Sequence, residues 1–471
     1  MPEQINSCSG QVDVTERDKA PTKDSAQAHS LSHFLRLLFR LLEENGIRYC
    51  VLHSWETLPD ELPSDLDLAV HPQDRAKLPL VFQGLSKAGY RPAQCLNYFA
   101  KAYYFVFSWV EDDAVKFVRV DVIFEHRRSG LTSLSGQELV ARRERLKDFW
   151  VASPPTEFVY LLAKKTWKKS VPPPQGRRLK LLVEMLGRQQ AEKLAGKVFT
   201  GKLKAEVVEA CVNGSLESLM GRISVQPWLT GLVRHPLGLC RFLYGESMRV
   251  MRRWFQPTGV FVVILGPDGA GKSTLVGRLT QAVDTCFRRQ RIYHWRPNVI
   301  APQKGTGMPV TDPHDEAPRG ALGSILALLG VLLDYWLGFA FVLRPFLARS
   351  GLIVFDRYYH DLLIDPLRYR YGGPIWFAKL LGRLVPPPDL LFLVLDARDE
   401  VIFSRKREVP PEELRRQREG YEQFTLGDKR ASVVRTDQRI ELSVGEAARF
   451  VVEYLTRRFQ RRHARWLAPR R

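Results

Sequence analysis

The turn Gly266-Pro267-Asp268-Gly269-Ala270-Gly271-Lys272-Ser273-Thr274 carries residues of types and spacing suited to handling phosphate. Its glycines let successive backbone N–H groups face one anion, and a helix start behind them adds positive potential. Lys272 neutralises a transferring phosphate, and the Ser273 hydroxyl is placed for Mg²⁺. The flanks agree: Val260–Leu265 is a continuous apolar, β-branched-rich strand, and Leu275, Leu279 and Val283 give the following helix an apolar face. A chance glycine-rich turn would carry neither flank. The expected cofactors are ATP and Mg²⁺, with Gly266, Gly269, Ala270, Gly271, Lys272, Ser273 and Thr274 around the nucleotide phosphates.

A second constellation lies near the N-terminus. Asp65 and Asp67, in Ser64-Asp65-Leu66-Asp67-Leu68-Ala69-Val70, stand at i and i+2, so on a strand they share a face. Asp121 lies inside the apolar strand Val118–Phe124. Three convergent carboxylates suit two Mg²⁺ ions in an in-line nucleotidyl transfer. The plainer reading is an edge strand with its polar face in water, because two aspartates spaced by one residue are common.

The elements that must position these residues alternate along the chain. Residues 1–30 are polar, lack an apolar segment of signal-peptide type, and read as a disordered arm. A mixed α/β block at 31–155 opens on a helix at His33–Glu44 and continues through short strands at Tyr49–His53, Asp65–Val70, Tyr103–Trp109 and Phe117–Phe124. Residues 156–257 read as a basic helical connector, interrupted by Pro172-Pro173-Pro174, Pro227 and Pro236. At Gly259 the pattern turns to strand, turn and helix, giving an α/β domain over 258–458 and a basic tail over 459–471. Ala321 to Leu347 is apolar enough to suggest a membrane span, but Asp334 sits in its middle, so buried helices are expected.

The 471 residues carry a formal charge of +20, and 45% of them are hydrophobic, which excludes a largely disordered chain. The excess is localised: residues 1–140 sum to −4, 141–260 to +13, 261–455 to +4 and 456–471 to +7. Both candidate catalytic regions are therefore near balance. The basic connector and tail mix arginines with aromatics, a pattern suited to an anionic membrane surface or to burial of an apolar stripe with wet arginines; the second is expected. No nucleic-acid-binding module is recognisable. The six cysteines are scattered without ligand-like spacing, so neither a zinc site nor a disulfide framework is expected, and a cytoplasmic setting, peripheral to membrane at most, fits.

Over residues 258–458 the sequence resembles the thymidylate kinase family of P-loop nucleoside monophosphate kinases. The likeness rests on FVVILGPDGAGKST, then strand Gly351–Phe355 running into Asp356-Arg357-Tyr358, then Pro388-Asp389-Leu390 opening the strand Leu391–Leu395 to Asp396-Ala397. Arg405-Lys406-Arg407-Glu408 follows, with Arg415, Arg416, Arg418 and Tyr421 after it, then Ser432–Arg435 and Thr436-Asp437. The resemblance implies a five-stranded parallel sheet wrapped by helices, a dimer, and an acceptor that is a small phosphorylated molecule, dTMP being the first candidate. It implies that Asp268 contacts the acceptor sugar, that Asp356 lies near Mg²⁺, and that Arg357 holds the acceptor phosphate beside Tyr358. Gly269 after Asp268 is similar to the bacterial type, whose catalytic arginine comes from a mobile lid; this implicates Arg405, Arg407 or the Arg415–Arg418 group. Two departures stand out. Leu265 occupies the place of the family's glutamate before the first loop glycine, and Ile292-Tyr293-His294-Trp295-Arg296-Pro297 replaces its acceptor motif, with Arg296 able to clamp phosphate.

Residues 32–170 more weakly resemble the minimal nucleotidyltransferase fold, which implies that Asp65, Asp67 and Asp121 bind metal. His53-Ser54 stands where that fold has Gly-Ser. Three functions remain open on the sequence: an ATP-dependent kinase, a nucleotidyltransferase acting through the three aspartates, and a non-catalytic, nucleotide-gated protein binding a membrane or partner surface.

Overall fold

In the computed structural model, residues 29–99, 102–300, 317–395, 410–426 and 428–467 are described. Arg405, Arg407, Asp396 and most of the N-terminal arm lie outside them. Helix α1 (Leu31–Glu44) buries Phe34, Leu37, Leu38 and Leu42, and the Ser30 hydroxyl caps it by accepting from the His33 N–H. The chain turns at Gly46, at φ +58°, into β1 (Tyr49–Val51). Then come β2 (Leu66–Val70), α2 (Leu78–Lys87), β3 (Arg91–Phe99), β4 (Ala102–Glu111), β5 (Ala114–Ile123), β6 (His126–Arg128), β7 (Leu131–Leu134), α3 (Gly136–Ala141), β8 (Glu144–Leu146) and β9 (Phe149–Val151). Seven of these strands form a mixed sheet in the order β3-β4-β5-β2-β1-β9-β8. Strands β2 and β5 run parallel with Asp67 opposite Asp121, which brings the two carboxylates to one face.

The connector is helical: α4 (Pro154–Lys168), α5 (Pro173–Leu186), α6 (Arg188–Ala195), α7 (Leu203–Asn213), α8 (Met220–Arg234) and α9 (Pro236–Phe255). Its prolines act by position. Pro173 and Pro236 sit in the first turns of α5 and α9, where a missing N–H costs nothing, while Pro227 lies inside α8.

The C-terminal half alternates β10 (Val260–Leu265), α10 (Lys272–Ala282), β11 (Arg289–His294), α11 (Ala321–Gly338), α12 (Arg344–Ala348), β12 (Gly351–Asp356), α13 (Tyr359–Ile364), α14 (Ile375–Gly382), β13 (Leu390–Leu395), α15 (Pro411–Thr425), β14 (Ala431–Arg435) and α16 (Ile440–Leu467). The five strands are all parallel, in the order β11-β12-β10-β13-β14. All six residues of β10 are buried, as a strand covered on both faces requires. Ligands of such open parallel sheets bind at the carboxyl ends of the strands, which here places the glycine-rich turn at the centre.

Two expectations change. The segment Ala321–Ala348 is by length and composition able to cross a membrane, with a mean hydropathy of 2.1, but it buries only one face: 28% of its most apolar stretch is covered. Leu328, Val331 and Tyr335 face the core, whereas Leu322, Leu326 and Phe341 are exposed. Asp334 is fully buried, and its carboxylate accepts the backbone N–H groups of Asn298, Val299 and Ile300 at 2.9, 2.7 and 2.8 Å. It is a folding anchor for the chain after β11. The second change concerns the tail. Helix α16 runs unbroken past residue 459, Phe459 packs into the core of the N-terminal sheet, and Arg458 is buried rather than wet.

Candidate phosphate-transfer site

The turn after β10 has the backbone its glycines allow. Gly266, Gly269 and Gly271 have φ of +147°, +81° and +84°, conformations that strain a residue bearing a Cβ. Lys272 opens α10 with its side chain buried, its ammonium donating to the carbonyl oxygens of Gly266 at 2.9 Å and Pro267 at 2.7 Å. The Thr436 hydroxyl, just beyond β14, donates to the Ala270 carbonyl at 2.8 Å and ties the turn to the far side of the sheet.

Strand β12 delivers the next residues. Ile264 pairs with Asp356, so the end of β12 lies beside the turn. The Ser273 hydroxyl donates to Asp356 Oδ2 at 3.2 Å, and Asp356 Oδ1 is buried without a hydrogen-bond partner. Arg357 sits at φ +75°, a strained position for a residue bearing a Cβ, held by its N–H on the Ile264 carbonyl at 3.0 Å. Its guanidinium and that of Arg368 each pair with one oxygen of Asp268, while the Lys272 ammonium lies 3.5 Å from the same carboxylate. One carboxylate thus gathers three cations at the turn after β10.

Trp295 and Arg296 follow β11. Trp295 is also at positive φ, +62°, with its N–H on the Asp356 carbonyl at 3.2 Å and its ring stacked on Tyr369 at 4.6 Å. The Arg296 guanidinium lies 5.5 Å from the centre of the Trp295 ring. Tyr358 occupies a different place from the one its motif suggests: it is buried, and its hydroxyl donates to the Pro386 carbonyl at 2.6 Å. Its ring supports the strand end. Asp361 is buried behind it, accepting from the Tyr358 N–H and the Tyr421 hydroxyl. Burial pushes the Asp361 carboxyl up against the opposing charges of Arg357 and Lys272. In α15, Arg416 pairs with Glu413 at 2.6 Å and donates to the Ile364 carbonyl at 2.9 Å, a structural use of one arginine of the run. Arg415 is exposed. Arg368, Asp361 and the Trp295–Tyr369 stack are absent from the sequence-derived set; their only sequence trace is nearness to the Asp356-Arg357-Tyr358 motif and to Arg296.

The N-terminal aspartates converge, but Asp65 and Asp67 are already engaged. Asp67 is buried, with Oδ1 accepting from the Tyr160 hydroxyl at 3.1 Å and Oδ2 lying 2.5 Å from both Lys164 Nζ and His53 Nε2. Burial pushes the Asp67 carboxyl up, but Lys164 and His53 outweigh it and hold it well below the usual carboxylate range. Asp65 pairs with Arg119 at 3.5 Å. Asp121 Oδ1 is buried and unpartnered, and burial followed by the Asp67 charge pushes its carboxyl up to about 7. Among the described residues, no three His, Cys, Asp or Glu side chains come together to hold a metal ion. The three aspartates expected to bind metal there do not fit it, because Lys164 already stands on the most buried of them.

No family model matches the chain. It is 27% identical over 141 residues to a thymidylate kinase of Xanthomonas euvesicatoria pv. vesicatoria, covering 30% of this chain and 57% of that protein. Thymidylate kinases of Xanthomonas oryzae pv. oryzae align at 27% identity over 139 residues, again 30% of this chain and 57% of theirs. The chain thus spans little more than half the length of the curated relatives it matches. Among solved structures, thymidylate kinase from Ehrlichia chaffeensis is similar at 16% identity and a TM-score of 0.30, with 41% of this chain and 98% of that one covered. Thymidylate kinase from Candida albicans gives 15% and 0.30, covering 41% and 91%. A segment of this chain is thymidylate-kinase-like.

Proposed function

We propose that the C-terminal half is an ATP- and Mg²⁺-dependent phosphotransferase acting on a nucleoside monophosphate or a similar small phosphorylated acceptor, with dTMP the first candidate. The observation that carries this reading is the meeting of Lys272, Ser273, Asp356, Asp268 and Arg357 at the adjoining ends of β10 and β12. The thymidylate kinase names of the aligned relatives support the acceptor class.

Phosphoryl transfer asks for little covalent help from the protein; it needs in-line positioning and cationic stabilisation in a dry site. The turn N–H groups and Lys272 bind the donor phosphates. Ser273 and Asp356 would hold Mg²⁺, and the buried, unpartnered Asp356 Oδ1 fits a cation ligand. When bound, the ion neutralises charge on the donor phosphates. Arg357 and Arg368 exchange the Asp268 carboxylate for the acceptor phosphate, leaving Asp268 to accept from an acceptor hydroxyl. Arg296, beside Trp295, closes the acceptor side, and the stacked Trp295 and Tyr369 rings form an apolar wall for a flat base. A lid arginine, from Arg405, Arg407 or the Arg415–Arg418 group, completes the stabilisation.

The test is transfer from γ-labelled ATP with Mg²⁺ to a panel of nucleoside monophosphates and sugar phosphates. A labelled acceptor is expected. Retained ATP binding with no acceptor labelled would overturn the proposal.

A further inference from the structure

A second cavity, of about 620 Å³, opens over the N-terminal aspartates. Its size suits a small-molecule ligand. Asp65, Asp67 and Asp121 line it, Asp67 the most deeply buried of the three, and three parts of the chain build its wall: the N-terminal sheet with α4, helix α9 through Arg241 and Phe242, and Arg288 from the approach to β11.

The chemistry of this lining differs from that of a metal site. Asp67 has both oxygens satisfied by Tyr160, Lys164 and His53, so a cation would have to displace the Lys164 ammonium and break a buried network. Lys164 already provides the positive charge that two facing carboxylates need. Asp121 keeps a buried oxygen with no partner, a position that a ligand hydroxyl would satisfy. Arg127, Lys168, Arg241 and Arg288 line the cavity as well, all four at exposed positions that place them at its rim. Trp167 and Phe242 add flat apolar surface. Guanidinium groups at a rim match phosphate geometry, and buried carboxylates match hydroxyl donors.

We propose that this cavity binds a phosphorylated, hydroxyl-bearing small molecule directly, without a divalent cation, with Lys164 standing where a metal ion would otherwise be. The site is separate from the phosphate-transfer site, and because Arg288 belongs to the C-terminal half, occupancy bridges the two halves of the chain.

Calorimetric titration of the full chain tests this. Every sample carries Lys272→Ala to weaken nucleotide binding at the glycine-rich turn, and the probes are AMP, ribose 5-phosphate and inorganic phosphate, each with EDTA and with Mg²⁺. The expected result is saturable binding of AMP or ribose 5-phosphate in EDTA, changed less than twofold by Mg²⁺. Adding Arg241→Ala and Arg288→Ala, both at exposed residues, should weaken it at least tenfold. Binding of ribose 5-phosphate as tight as that of AMP identifies a sugar phosphate ligand; a preference for AMP identifies a nucleotide. The proposal is overturned if neither organic phosphate binds, if binding requires Mg²⁺ and tightens on Lys164→Met, or if the double arginine change leaves binding in EDTA intact.

Discussion

Lys272 folds back on the carbonyls of Gly266 and Pro267, and Arg357 and Arg368 close on Asp268, so each cation awaiting phosphate already has an oxygen to hold. In the proposed reaction, ligand phosphates would replace these partners instead of meeting bare charges. Lys272→Ala is therefore expected to lower kcat by about 10²–10³-fold, read from initial rates of phosphoryl transfer. Arg368→Ala should raise KM for the acceptor about tenfold with KM for ATP unchanged, the loss of one charge-assisted hydrogen bond. His360 gives a pH dependence. Burial, then Arg430, pushes its imidazole down to about 4, and its Nδ1 has no partner. A base with a depressed folded pKa contributes stability above its unfolded value, and that stability is lost as pH falls toward the folded one. The unfolding free energy from denaturant titrations should therefore drop between about pH 6.5 and pH 4 by about 1–3 kcal/mol, and His360→Leu should flatten that slope. Lys272, Ser273, Asp356 and Arg357 were legible because they sit in contiguous motifs that local backbone geometry dictates. Arg368 and Lys164 were not, because each reaches its aspartate across about a hundred residues of chain.

At the scale of elements, the parallel sheet was the readable part. Each of its buried strands is a short apolar run bounded by turn residues, and β10, β12, β13 and β14 lie within a residue of their expected places. Strand β3 was not anticipated: it begins at Arg91-Pro92 and carries Gln94 and Asn97, so neither alternation nor an apolar run marks it. Gln94 is there to serve the junction between halves. It donates to the Thr258 carbonyl at 2.9 Å and accepts from buried Arg458, which also donates to the carbonyls of Gly259 and Thr258 at 2.7 Å each. Arg458→Met would take the guanidinium donor from all three acceptors, leaving the Thr258 carbonyl with Gln94 alone. It should cost about 2–3 kcal/mol, measured by chemical denaturation, while Arg457→Met on the exposed face should change little.

For the whole molecule, the two halves are continuous rather than linked beads. Ala93, Leu96 and Val106 of the N-terminal sheet share one buried cluster with Val260, Val262 and Leu279 of the C-terminal half, and Phe459 of α16 enters the N-terminal core. The domain boundaries legible in composition mark changes of chain character, not gaps in packing. The +20 charge takes on a different meaning as well. Part of the tail's excess is spent on Arg458 and Arg462, which bind backbone carbonyls at the junction, and part of the connector's excess, at Lys168 and Arg241, lines the second cavity. We propose that phosphoryl transfer belongs to the glycine-rich turn and the end of β12. The most direct measurement compares label transfer from γ-labelled ATP to dTMP by the unaltered chain, by Lys272→Ala and by Asp65→Ala under one set of conditions. Transfer abolished by Lys272→Ala and retained by Asp65→Ala is the predicted result; transfer that survives Lys272→Ala and is lost with Asp65→Ala would contradict it.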